Sequence, residues 1–271
     1  MTMPKDLIPK GYARTRDGQV HYRRLGAGSV TFLLIHWLPL SSRMYAALMP
    51  LLAARGFDVL AVDLLGYGRS DPRPTNWSMT AWADNLAEVL TELGCDTVVA
   101  LGGHSGACVA AELAVRHRQR VTRVILDGCP LPTPELRATF RSMKAAQRPT
   151  PQPDRSHESL VFNTVRTTYE HYLPGFTVTA ENLERLWPAM IDYLETDFVS
   201  SAPISADYDL AATLTQITQP LTLLSAETDT LFPTFGVARQ LVPDARARLF
   251  TSDHPLHDIS RTMEYCEAIL D

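Results

Sequence analysis

Short apolar runs recur through the first half of the chain, each followed by a stretch of helical spacing. They are Val30–Ile35, Val59–Val62, Thr97–Leu101 and Val121–Leu126. A strand that is apolar along its length has no face for water. Such strands belong inside a parallel sheet covered by helices on both faces. The intervening helices are expected over Ser42–Ala54, ended by Gly56, over Thr80–Leu93, and over Ser105–His117. Ser78 or Thr80 serves as N-cap of the second, and Gly94 stops it. Val20–Arg24, after the turn residues Asp17-Gly18, reads as an edge strand.

The alternation lapses from Pro130 to about Gln219, where prolines cluster at 130, 132, 134, 149, 151 and 153. Helical stretches are expected near 133–147, 156–172 and 180–199. The strand pattern returns at Pro220–Leu224, followed by a helix over Thr234–Leu241, a strand over Ala247–Phe250 and a helix over Asp258–Leu270. The chain therefore reads as an α/β core domain, residues 1–130 and 217–271, interrupted by a helical lid at 131–216.

Bulk properties narrow the partners. The 271 residues carry a net charge of −5 and no polybasic block, which argues against nucleic acid. No 18-residue apolar run and no signal-peptide core occur, so a soluble, cytoplasmic protein without membrane association is expected. Cys95, Cys108, Cys129 and Cys266 lack metal-ligand or CxxC spacing and read as reduced thiols. The expected partner is a small molecule, with no metal and no cofactor; a homodimer is left open.

The stretch VVALGGHSGACVAAELA, residues 98–114, sets a hydroxyl between a buried strand and a helix. Gly103 precedes Ser105 by two residues and Ala107 follows it by two. Small residues at both places permit a sharp strand-to-helix turn that presents one side chain at the helix N-terminus. Ser105 is thus a candidate nucleophile; its bland alternative is a helix N-cap. A nucleophilic serine needs a base and an orienting acid. Asp229 follows the strand near Leu224, and His254 follows the strand ending at Phe250. Both fall at carboxyl ends of strands, where open parallel sheets place ligands. Asp127, in Leu126-Asp127-Gly128, is the stronger alternate, as acid; His257 is an alternate base.

Several stretches resemble the α/β-hydrolase superfamily, and within it the bacterial arylesterase and cofactor-free haloperoxidase group. His36-Trp37-Leu38-Pro39-Leu40-Ser41-Ser42-Arg43-Met44-Tyr45 resembles that group's HGWPLSxxMW segment. Asp63-Leu64-Leu65-Gly66-Tyr67-Gly68-Arg69-Ser70 resembles its DxRGxGRS segment, and Gly103-His104-Ser105 its elbow. The likeness covers residues 12–130 and 217–270. It implies the α/β-hydrolase fold, a mostly parallel sheet with helices on both faces and a helical lid. It also implies an esterase-like serine hydrolase whose Ser105–His254–Asp229 catalytic triad cleaves an ester, thioester or related acyl bond of a small, largely apolar substrate. The Leu38 and Gly106 amides would form the oxyanion hole. Trp37 stands where the family has glycine and bears on that loop's geometry. His36, at the pocket, would hydrogen-bond backbone beneath the loop, and Asp63 would fix the loop that follows it.

Two other functions remain open. A cofactor-free dioxygenase, C–C hydrolase, lyase or cyclase would use His254 with Asp127 or Asp229 as a base pair. A small-molecule receptor would bind in the same cavity. The lid would set substrate choice, with Trp187 and Tyr193 lining the pocket. Arg137, Arg141, Lys144 and Arg148 fall on one helix face. That face is either solvated or a strip for the phosphate of a coenzyme A or acyl-carrier leaving group.

Overall fold

The computed structural model describes residues 8–38, 40–142, 150–160, 162–163, 179–180 and 198–271. Eight strands form one sheet: β1 (Lys10–Thr15), β2 (Gly18–Leu25), β3 (Thr31–Ile35), β4 (Asp58–Val62), β5 (Val98–Gly103), β6 (Val121–Asp127), β7 (Leu221–Ala226) and β8 (Arg246–Phe250). Their spatial order is β1-β2-β4-β3-β5-β6-β7-β8. β2 runs antiparallel to both its neighbours, and every pair from β4 through β8 is parallel.

Alternation along the central strands sorts side chains into two apolar layers. Leu33, Ile35, Leu60 and Val62 face one layer; Phe32, Leu34, Val59 and Ala61 face the other. The first layer is closed by α2 (Met79–Glu92), α3 (Ser105–Arg116), α6 (Leu210–Leu214) and α7 (Phe232–Leu241). The second is closed by α1 (Leu48–Ala53) and α8 (Thr262–Leu270). Each fully buried leucine here contributes roughly 2 kcal/mol by leaving water.

The expected helix over Ser42–Ala54 is a short 3-10 turn, Ser42–Tyr45, followed by α1. Pro50 explains the break. It has no N–H to donate to Ala46 and is tolerated only in a first turn, so the α-helix starts just before it. β1 has one fully buried side chain, Ala13, which is why its sequence carries no strand signal. The Ser78 cap holds: its Oγ accepts from Ala81 N–H at 3.1 Å. All four cysteines are free and buried.

The crossover from β6 to β7 spans residues 128–220. Its described helices include α4 (Pro134–Ser142) and α5 (Phe198–Asp207), which pack together. α6 also lies within 131–216, yet Leu210 and Leu214 are buried against the core, so the core layer begins before β7. Arg137 donates to the carbonyls of Ala206 and Tyr208, and Arg141 pairs with Asp207. Two of the four cations in the expected basic strip are thus committed to joining α4 to the end of α5. Lys144 and Arg148 lie outside the described residues, as do Trp187 and Tyr193. No described helix is long and apolar enough to cross a membrane.

Candidate active site

The turn between β5 and α3 is centred on His104. Its φ is 48° and ψ is −117°, a left-handed conformation that costs a non-glycine residue about 1–3 kcal/mol. Gly102 and Gly106 flank it at two residues on either side. A Cβ on Gly102 would strike Gly106 O, and one on Gly106 would lie 2.5 Å from Ile35 O. The elbow read around Ser105 is therefore shifted one residue earlier. The two-before, two-after glycines belong to His104. Ser105 is the first residue of α3.

Loops at the carboxyl ends of three other strands meet this tip. His104 Nε2 lies 2.8 Å from Asp229 Oδ2, on the loop after β7. The Cδ2–Nε2 edge of the ring passes over Gly128, just after β6. Its flat face stacks on Trp37, from the loop after β3, with centroids 4.2 Å apart and planes 8° from parallel. Nδ1 makes no hydrogen bond to the described residues, and the side chain is 19% exposed.

Charge is arranged around this pair. Burial disfavours the His104 imidazolium, but the charge and hydrogen bond of Asp229, with the charge of Asp127, outweigh it and raise the His104 pKa. Burial likewise disfavours the Asp229 carboxylate. The His104 charge and hydrogen bond, the Leu231 N–H at 2.7 Å and the His254 charge outweigh that and hold it far below the usual carboxylate range.

His254 has a different partner. Its Nε2 lies 3.0 and 2.9 Å from the two oxygens of Asp127, and its Nδ1 accepts from Leu256 N–H at 3.2 Å. The Leu256 bond leaves the proton on Nε2, which donates to Asp127. Asp127 also accepts from the Tyr265 hydroxyl at 2.7 Å. Burial, then the Asp127 charge, keeps that phenol protonated. The His254 and Asp127 side chains are 0% and 1% exposed. Hence the base expected to meet Asp229 meets the alternate acid, and Asp229 meets His104.

Ser105 Oγ accepts from Leu38 N–H at 2.9 Å. The amide expected in the oxyanion hole is thus directed at the serine hydroxyl, whose own proton stays available as a donor. The Gly106 carbonyl backs onto Gly102, which fixes the first turn of α3. Trp37 is buried, with its indole stacked against the elbow residue His104. His36 is fully buried: Nδ1 donates to Trp37 O at 2.9 Å and Nε2 accepts from Leu64 N–H at 3.0 Å. Both nitrogens hold backbone, so His36 supports the loop and lines no pocket. Asp63 accepts from Ser42 N–H, Arg69 N–H and His21, and so fixes its loop as expected. His257 packs edge-on to Trp37 and tilted against His254. Among the described residues no group of three His, Cys, Asp or Glu side chains is placed to hold a metal ion.

Reading the sequence missed His104 because a hydroxyl drew attention to Ser105. The available signal was stricter: glycine at both flanking positions suits His104, whereas Ser105 has Gly103 and Ala107. Tyr265 gave no signal, lying in an ordinary amphipathic helix.

The family model described as alpha/beta hydrolase fold matches residues 30–260. The chain belongs to the alpha/beta hydrolase fold family. Curated relatives include bifunctional epoxide hydrolase 2 of Rattus norvegicus, 30% identical over 49% of this chain, and a 2-hydroxy-6-oxononadienedioate/2-hydroxy-6-oxononatrienedioate hydrolase of Pseudomonas putida, 34% identical over 43%. The matches span 24% and 44% of those proteins' own lengths. Among solved structures, a thermophilic esterase from Thermogutta terrifontis superposes with a TM-score of 0.76 at 19% identity, covering 97% of each chain. A bromoperoxidase from Bacillus anthracis gives 0.75 at 18%, covering 97% of this chain and 98% of that one. These likenesses show the eight-stranded hydrolase fold.

Proposed function

We propose that this alpha/beta hydrolase cleaves an ester, thioester or related acyl bond of a small, largely apolar substrate with His104 as general base. The observation that carries the reading is the strained elbow tip: His104, at φ 48°, has one ring nitrogen on Asp229 and the other without a hydrogen bond among the described residues. The elbow tip thus holds an imidazole with a carboxylate hydrogen-bonded behind it. In the neutral ring Nε2–H donates to Asp229 and the Nδ1 lone pair faces the substrate. Nδ1 takes a proton from water as the water oxygen bonds to the acyl carbon. The carbonyl oxygen becomes an oxyanion beside the Ser105 hydroxyl, which donates to it while Leu38 N–H holds Oγ. The imidazolium then returns the proton to the leaving oxygen or sulfur, and acid and alcohol or thiol depart. Positioned proton transfer contributes typically about 10²–10⁴-fold, and one oxyanion donor about 3 kcal/mol.

A second reading keeps Ser105 as nucleophile, favoured by its contact with the Leu38 amide. That reading needs a base at Ser105, and both nitrogens of His254 are engaged elsewhere. The same engagement counts against His254 and Asp127 abstracting a substrate proton.

The two readings differ in whether an acyl-enzyme forms. The full-length protein is turned over with p-nitrophenyl butyrate, quenched with acid and analysed by mass spectrometry. A parallel sample is treated with a fluorophosphonate. Hydrolysis without a Ser105 adduct in either sample is expected. A stoichiometric butyryl or phosphonyl mass on Ser105 would return the chain to the serine mechanism.

A further inference from the structure

Trp37 is the residue that departs most from the family's loop, and its surroundings give it a definite task. Its indole lies parallel to the His104 ring at 4.2 Å. It occupies the space of a side chain at position 103: a Cβ on Gly103 would overlap the indole Nε1. That Nε1 is buried without a hydrogen-bond partner among the described residues. An orphaned donor costs about 1–3 kcal/mol, which phenylalanine at this place would avoid. Packing alone therefore does not account for an indole. Its larger, electron-rich face does, because it is the best aromatic partner for an imidazolium.

We propose, on the reading of His104 as base, that Trp37 is the positioning residue of the site: its indole, seated in the gap at Gly103, holds the His104 ring in the plane in which Nε2 meets Asp229 and Nδ1 is offered to substrate. The ring has few other restraints. Gly128 lies under one edge, and Asp229 holds one nitrogen. A 180° turn about the last side-chain torsion would put carbon where nitrogen now meets Asp229. The parallel indole face resists the tilting that such a turn requires. The charged groups facing His104 are Asp229, from the loop after β7, and Asp127, at the end of β6. His254 and His257 meet the indole at its other sides, at 85° and 79° to its plane.

The test is an NMR titration of the full-length protein labelled with ¹⁵N-histidine, in which the His104 signals are identified by their loss in His104→Asn. Wild type is expected to show one neutral tautomer, with the proton on Nε2. In Trp37→Leu both tautomers should appear, the His104 midpoint should fall by about half a pH unit, and kcat toward p-nitrophenyl butyrate should drop roughly 10-fold at unchanged KM. Trp37→Phe should restore most of each. Fluorotryptophan incorporation keeps the shape and weakens the π face, so it decides the matter should Trp37→Leu fail to fold. The midpoint should then fall as fluorine is added. Gly103→Ala should lower the melting temperature with Trp37 present and be tolerated alongside Trp37→Ala.

An unchanged tautomer and midpoint in Trp37→Leu, or in the fluorinated protein, would overturn the positioning role. Equal cost of Gly103→Ala in both backgrounds would overturn the seating. Full activity of His104→Asn would instead remove His104 as base, while the titration still reports whether Trp37 orients the ring.

Discussion

Two histidine–carboxylate pairs lie on either side of one indole, and they are built for opposite ends. In His104–Asp229 one ring nitrogen is held, the other has no hydrogen bond among the described residues, and the imidazole is 19% exposed. In His254–Asp127 both nitrogens are held, the side chains are 0% and 1% exposed, and Tyr265 adds a further bond to the carboxylate. The residue types are the same. What separates a base from a strut is whether the second nitrogen has somewhere to go.

Four substitutions put that contrast to the test. The largest effect is expected from His104→Asn, which removes the imidazole and leaves a smaller polar side chain at the elbow tip. kcat/KM should fall about 10³-fold, roughly 4 kcal/mol of barrier, with the melting temperature within a few degrees of wild type. Ester hydrolysis paired with thermal denaturation checks both halves.

His254→Ala should show the reverse signature. It leaves a buried carboxylate with one remaining partner among those described, and breaking such a pair costs about 3 kcal/mol. Urea denaturation at neutral pH reads it directly. A variant as stable as wild type would erase the distinction between the two pairs.

Asp229→Asn is expected to act through pH. Asp229 raises the His104 pKa, and in the proposed role His104 works only when neutral. Wild-type kcat/KM should therefore rise with pH through that raised value, and in Asp229→Asn the acidic limb should move to lower pH. The pair's stability term follows the same signs. The His104 part is full below its unfolded value, about 6.5, and fades as pH rises through the raised folded one. The Asp229 part is full above about 3.9 and fades as pH falls through the depressed one. Denaturation midpoints should thus show this contribution largest between about pH 4 and 6.5, and flat in His104→Asn.

Ser105→Ala is expected to have the smallest effect, about 10-fold on kcat, because the Leu38 amide is then free to replace the lost hydroxyl donor. A loss matching that of His104→Asn would favour the serine mechanism.

How far the sequence disclosed this arrangement depended on burial. β3, β4, β5 and β6 lie between two layers, so their side chains are apolar on both faces and the runs are visible. β1 buries Ala13 on an otherwise polar edge strand and leaves almost no trace. At the elbow, Gly102-Gly103-His104-Ser105-Gly106-Ala107 offers small residues in two registers. Only contact between Gly102 and Gly106 selects one of them. The pairing of His254 with Asp127 was foreshadowed only as an alternative. Two carboxylates end neighbouring strands, and no spacing along the chain says which of them a distant imidazole will reach.

The arginine staple at the base of the crossover has a consequence for how such a chain can change. Arg137 and Arg141 tie the segment leaving β6 to the segment returning toward β7. The two ends of the intervening sequence are thereby held at a set separation by bonds that do not involve what lies between them. The core thus offers a ready-made socket. A foreign segment grafted between Ser142 and Phe198 would find its anchor points already spaced, while the elbow and both histidine–carboxylate pairs stay in place.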